Sequence, residues 1–179
     1  VLEDRLLDIN PLSANWSGGR VSGHAVMDLS ARTVSAALTG ESLSASEAFV
    51  HTGVSTEPWV DFDADLELQL TGTLRPLHVA GTLDLAGRDV KIATGPLDST
   101  PPLLRLSRLT TRSAVQVLED RVLLESQTLR TGRSRGQVSV DLETRGERHL
   151  ELDVNLESVA LEELRPLADL EPTGTAAFS

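Results

Sequence analysis

The stretch GRSRG at residues 132 to 136 places Ser134 in the G-x-S-x-G spacing of a serine nucleophile. That chemistry needs a strand before the serine and a helix after it, so that the hydroxyl stands on a strained elbow. Here the alternating run QVSVDLE follows at once, which predicts a second strand, and the arginines flanking Ser134 suit an exposed hairpin turn. The four histidines, His24, His51, His78 and His149, include no pair at H-x-H or H-x-x-x-H spacing. Asp61, Asp63, Asp65 and Glu67 offer carboxylates for calcium. They alternate along an extended run, about 6.6 Å apart by the strand rise, and diverge where a calcium loop would converge them around a glycine bend. The chain has no cysteine, hence no thiolate nucleophile or thiolate metal ligand. It carries neither a phosphate-binding loop nor a dinucleotide fingerprint, and no carboxylate pair stands out as acid and base. These readings point away from an enzyme, a metal site and a cofactor.

The elements that hold these residues are therefore the informative feature. In DFDADLELQLTG, residues 61 to 72, Phe62, Ala64, Leu66, Leu68 and Leu70 alternate with four acids and a glutamine. Successive side chains of a strand point to opposite faces, so this is a strand with one aliphatic and one acidic face. The pattern recurs with Val79, Leu83 and Leu85, with Val138, Val140 and Leu142, and with Leu150, Leu152, Val154 and Leu156; VSGHAVMDL at 21 to 29 follows it with Val26 as an exception. Shorter candidate strands lie near 33 to 39, 90 to 92, 103 to 109, 113 to 117 and 122 to 129. Turn signals at 17 to 19, 86 to 89, 118 to 121 and 144 to 147, and a loop at 93 to 102, separate them. The expectation is a meander of roughly ten antiparallel strands. One short helix is predicted near 159 to 167, where Leu161 and Leu164 stand three apart, Ser158 caps and Pro166 stops the run.

Composition narrows what can cover the aliphatic face. Apolar residues make up 40% of the chain but aromatic residues only 3%, with no tyrosine. Closed β-sandwiches usually lean on aromatic rings, which bury large areas. The face here is Leu, Val and Ala. The predicted fold is all-β, a long antiparallel meander curled into an open groove; a closed β-sandwich, whose two sheets cover each other, is the alternative. Net charge is −11 and the isoelectric point about 4.7, a surface that repels phosphate backbones and argues against nucleic acid as a partner. No run of eighteen apolar residues exists, so no stretch reads as a membrane-spanning helix.

The chain also echoes itself. LEELRPLADLEPTGTAAFS from Leu161 repeats the order of LEDRLLDINPLSANWSGGRVSG from Leu2, acid pair, leucine, proline, then a glycine opening a strand. Residues 1 to 179 are thus expected to be one β-rich repeat segment of a larger protein, with neighbouring repeat segments as partners, because an open β-array buries its face and edges against neighbours. The Gly-opened strand PTGTAAFS, the alternating strand followed by VALEELRPL, and the pair RGQVSVDLETRGERHLELDVNLESV resemble the AsmA-like and TamB-like proteins, bridge-like lipid transfer proteins of the periplasm. The resemblance implies a trough whose lining (Phe62, Leu66, Leu68, Leu70, Val79, Leu83, Leu85, Val138, Val140, Leu142, Leu150, Leu152, Val154 and Leu156) contacts phospholipid acyl chains moving between inner and outer membrane. It further implies a periplasmic segment of an inner-membrane-anchored protein, with the anchor, and any outer-membrane barrel partner's contact region, outside this chain. The reading from a different class is a non-catalytic structural or adhesive β-repeat module of a surface protein.

Overall fold

Period-2 patterning of this length yields strands of up to sixteen residues. The computed structural model describes residues 6–52, 60–93, 95–102, 104–145 and 150–158, with the backbone alone at Thr52, Leu150, Leu152, Val154 and Leu156. The elements run β1 (Leu6–Trp16), β2 (Gly19–Asp28), β3 (Thr33–Ser44), α1 (Ala45–Thr52), β4 (Val60–Leu74), β5 (Leu77–Ile92), β6 (Leu104–Leu118), β7 (Arg121–Thr131), β8 (Ser134–Glu143) and β9 (Leu150–Ser158). The nine strands form one antiparallel sheet in sequence order, and β1 and β9 are its edges, so the sheet does not close into a barrel. Local chemistry sets the turns. Asp28 Oδ1 accepts the backbone N–H groups of Ser30 and Ala31, both at 2.8 Å, and so builds the β2–β3 turn.

A meander puts alternate connections on opposite margins. The first margin carries the β1–β2 turn, α1, the connection from β5 to β6 and the β7–β8 hairpin; the second carries the other connections. Besides register shifts at Ile9/Leu12, Arg112/Ser113 and Arg135/Gly136, three lie toward the first margin on β3, β5 and β7: between Gly40 and Leu43, opposite Asp61 and Asp63 in the β4–β5 pair, and between Glu125 and Leu129. Ser42 and Asp89 adopt positive φ at two of them, 53° and 51°. Bulges bend strands and sharpen twist. Between this line and the margin sit Leu43, Val90, Leu106 and Leu129, all buried, with Val90 only 2% exposed. α1 packs on β4 and β3 there, and the Ser44 N–H donates to Ser17 O at 2.8 Å. The margin is a dry lip on a single-layered sheet.

Four expectations need correction. The turn expected at 86 to 89 is a bulge inside β5, since Asp89 takes the left-handed conformation without ending the strand, and residues 90 to 92 are the end of that strand. The candidates at 103 to 109 and 113 to 117 are one strand, β6. β1 was not among the predicted strands; Pro11 interrupts its pattern and is tolerated at a sheet edge. A helix occupies Ala45–Thr52, where Ser44 Oγ accepts the Glu47 N–H at 3.3 Å as an N-cap. The helix predicted near 159 to 167 lies outside the described residues.

Candidate functional site

Register carries the alternation of single strands across the whole sheet. Ile9, Ala25, Ala36, Leu70, Gly81, Val115, Leu124, Val140 and Leu152 are successive cross-strand partners from β1 to β9. One step nearer the second margin a parallel row runs through Leu7, Met27, Val34, Gly72, Val79, Val117, Val122, Leu142 and Leu150. Neither row contains a polar side chain. Each crosses eight strand gaps, about 38 Å at the usual spacing. Two further rows lie toward the first margin. One passes through Leu38, Leu68, Leu83, Ser113 and Ser126, the other through Gly40, Leu66, Leu85, Thr111, Leu129 and Gly136. The residues singled out from the sequence thus share one face, the inner face. For Leu150, Leu152, Val154 and Leu156 this is a statement of register with Leu142, Val140, Val138 and Gly136; their side chains lie outside the described ones.

The inner face is unevenly covered. All buried apolar strand residues belong to it, and the three buried leucines, Leu43, Leu106 and Leu129, sit at the lip. Leu66, Leu68, Leu70, Leu83, Leu85, Val138, Val140 and Leu142 are only half-buried, whereas Val79 of the predicted lining, and Val115 in the adjacent row, are buried. A second sheet would remove central-strand leucines from water altogether. Phe62, half-buried, borders the lip, where its ring lies 3.2 Å from the position a Cβ on Gly87 would take.

Three hydroxyls interrupt the aliphatic rows and were not foreseen. Ser113 is fully buried, and its Oγ lies 3.1 Å from Thr111 Oγ1. Ser126 Oγ accepts the backbone N–H of Val138. The protein satisfies these groups itself, which is the condition for placing them in an apolar surface. Only the adjacency of S-A-V at 113 to 115 in a weakly alternating run hints at them in the sequence.

The opposite, outer face is ionic. Asp61 meets Lys91 at 3.3 Å, Asp65 meets Arg88 at 2.6 Å, and Arg121 reaches Asp141 and Glu143 at 3.3 and 3.4 Å. The acids of the 61–67 run thus face salt-bridge partners and solvent. The Ser42 backbone N–H, 2.9 Å from Asp65 Oδ1, together with Arg88 holds the Asp65 carboxyl below its ordinary value. Asp65 in turn raises the Arg88 guanidinium above its own. No group of three or more His, Asp or Glu side chains is placed to hold a metal among the described residues. Ser134 opens β8 after the turn at Gly132 and Arg133, so its context is strand–turn–strand. His24 and His78 are exposed on the outer face, His51 on α1 lies 3.3 Å from Ser17 Oγ, and His149 is outside the described residues.

Comparison with protein families, characterised proteins and solved structures finds no match to this chain.

Proposed function

We propose that this chain is a segment of a lipid-carrying β-groove protein whose inner face holds phospholipid acyl chains. The observation that carries the reading is the pair of wholly apolar nine-strand rows, in which the described side chains other than Val79 and Val115 are half-buried or exposed. Water against such a face costs roughly 25 cal/mol per Å². Acyl chains remove that cost and need no shaped pocket, which suits a lining of Leu, Val and Ala. Neighbouring repeat segments would add to the sheet edges at β1 and β9, along the row direction. The resemblance to AsmA-like and TamB-like proteins agrees in kind, and with it a periplasmic setting between two membranes.

The test is native mass spectrometry of the purified chain, followed by photo-crosslinking to phospholipid from positions 68, 83 and 140. Co-purifying phospholipid and crosslinks from all three support the reading. A lipid-free protein with no crosslink from any of them refutes it and leaves the structural β-repeat module.

A further inference from the structure

A row of basic side chains crosses four strands of the outer face. Arg88 of β5 lies opposite Arg108 of β6, and Arg130 of β7 lies opposite Arg135 of β8. Thr110 is the partner of Arg130, which makes Arg108 and Arg130 diagonal neighbours, roughly 7–8 Å apart. Lys91 and Arg105 form another like-charged pair nearer the first margin. Like charges directly opposite each other destabilise a sheet, and a chain of net charge −11 has many carboxylates that could relieve them. Two cations are relieved: Arg88 by Asp65 and Lys91 by Asp61. Arg105, Arg108, Arg130 and Arg135 are exposed and have no ion-pair partner among the described residues. Arg130 also borders a hollow of about 880 Å³ whose walls carry Arg88 and Arg112 together with Glu41, Asp65, Glu67 and Asp84.

We propose that Arg108, Arg130 and Arg135, with Arg105 beside them, bind the phosphate of a phospholipid headgroup. These four cations are arginines, as fifteen of the chain's sixteen Lys and Arg residues are, and their planar forks match phosphate oxygens two at a time. The ligand chemistry is a phosphate-ester anion, and the site is a short one. Asp61, Asp63, Glu67 and Asp84 on the same face repel an extended polyanion such as nucleic acid, which would have to run past the row. A single headgroup needs only the row. At the first margin β7 and β8 are joined by a two-residue turn, Gly132 and Arg133, so Arg130 and Arg135 stand close to the margin shared by the two faces. Assigning the phosphate to a lipid rests on the groove reading above.

The experiment is co-sedimentation of the whole chain with vesicles of phosphatidylglycerol in phosphatidylcholine, compared with phosphatidylcholine alone. Wild type is expected to prefer the anionic vesicles and to lose that preference with added salt. Arg108→Gln, Arg130→Gln and Arg135→Gln should each lower partitioning about fivefold, and the triple variant on the order of a hundredfold. The triple variant should melt no lower than wild type, because opposed like charges have been removed. Equal partitioning of the triple variant overturns the proposal. So does displacement by inorganic phosphate at matched phosphate concentration, which makes free phosphate the ligand, or binding to polyglutamate without binding to vesicles, which makes the partner an acidic polypeptide. A parallel assay follows uptake of a fluorescent-acyl lipid by wild type and Leu68→Asp. No uptake by wild type alongside intact vesicle binding refutes the groove and leaves the arginine site standing.

Discussion

Leu68→Asp and Val90→Asp put the same carboxylate on the same face of the sheet at two depths of cover. Val90 is 2% exposed at the lip, closed in by Gly87 and the residues around it. An unpaired carboxylate there must be desolvated or protonated, at a cost of several kcal/mol. That is a large share of the 5–15 kcal/mol that holds an ordinary domain together. Leu68 is half-buried, with no strand over it among the described residues and Leu38 and Leu83 beside it. Its carboxylate can keep water. The loss is then the leucine's own burial, about 1–2 kcal/mol once its partial exposure is allowed for. Urea titration followed by far-ultraviolet circular dichroism should show Leu68→Asp folded with a lowered midpoint and Val90→Asp unfolded or nearly so. Uptake of a fluorescent-acyl lipid should be lost in Leu68→Asp despite the intact fold. Unfolding of both variants to the same extent would mean that protein covers the inner face at Leu68, and the open groove would be wrong.

Glycines on the inner face give a second contrast. A Cβ on Gly81 would overlap the carbonyl oxygen of Gln69 on β4, whereas on Gly87 the nearest atom is a Phe62 ring carbon at 3.2 Å. Gly81→Ala should therefore lower stability by about 1–3 kcal/mol, as overpacking does, and Gly87→Ala by less, read from chemical denaturation; equal effects would contradict the close approach of β4 and β5. The lowered Asp65 pKa sets a pH dependence. A depressed folded-state value contributes stability above the unfolded carboxylate pKa, which is lost as pH falls through the folded one. Asp65→Asn should lower the melting temperature slightly at neutral pH and make no difference in strong acid, because the pair with Arg88 is exposed and screened; a larger gap in acid than at neutrality would reverse the sign.

Strand faces were legible because period 2 is a local property. Phe62 to Leu70 alternate, and the register that later sets Leu70 against Gly81 and Ala36 only joins faces already defined. Strand ends were less legible. Ala86 to Asp89 reads as a turn by composition, yet a single residue at positive φ absorbs the irregularity as a bulge, because cross-strand pairing resumes at Val90 with β6 and at Lys91 with β4. β1 was hidden because Pro11 and Asn15 break its alternation; only an edge position makes such a strand possible, and edge position is not a local property. Helix α1 did carry a signal, Ser44 followed three residues later by Glu47, the spacing of a capping box. A run of only eight residues with one aromatic ring lacks the apolar periodicity that would have confirmed it.

Alternation cannot distinguish a face covered by protein from one covered by something else, since both require apolar side chains at every second position. What separates them is whether exposure along the face is uniform. In this sheet it is uneven: Leu43, Val90, Leu106 and Leu129 toward the first margin are dry, as are Val79 and Val115 in the two apolar rows, while Leu66, Leu68, Leu83 and Leu85 are half-buried. The bulges toward that margin lie on β3, β5 and β7, at positions fixed by Ser42, Asp89 and the Ser126 region. A closed sandwich would need the bend to carry the rest of the sheet across the face as well, and the strands beyond the bulges are too short for that. β3 has two residues after Ser42, and β5 has three after Asp89. At about 3.3 Å per residue the lip reaches roughly 10 Å, about one side-chain layer, against strands of fifteen residues beneath it. The lip reaches over one margin of the trough only, and the half-buried central leucines remain available to a ligand that brings its own hydrocarbon.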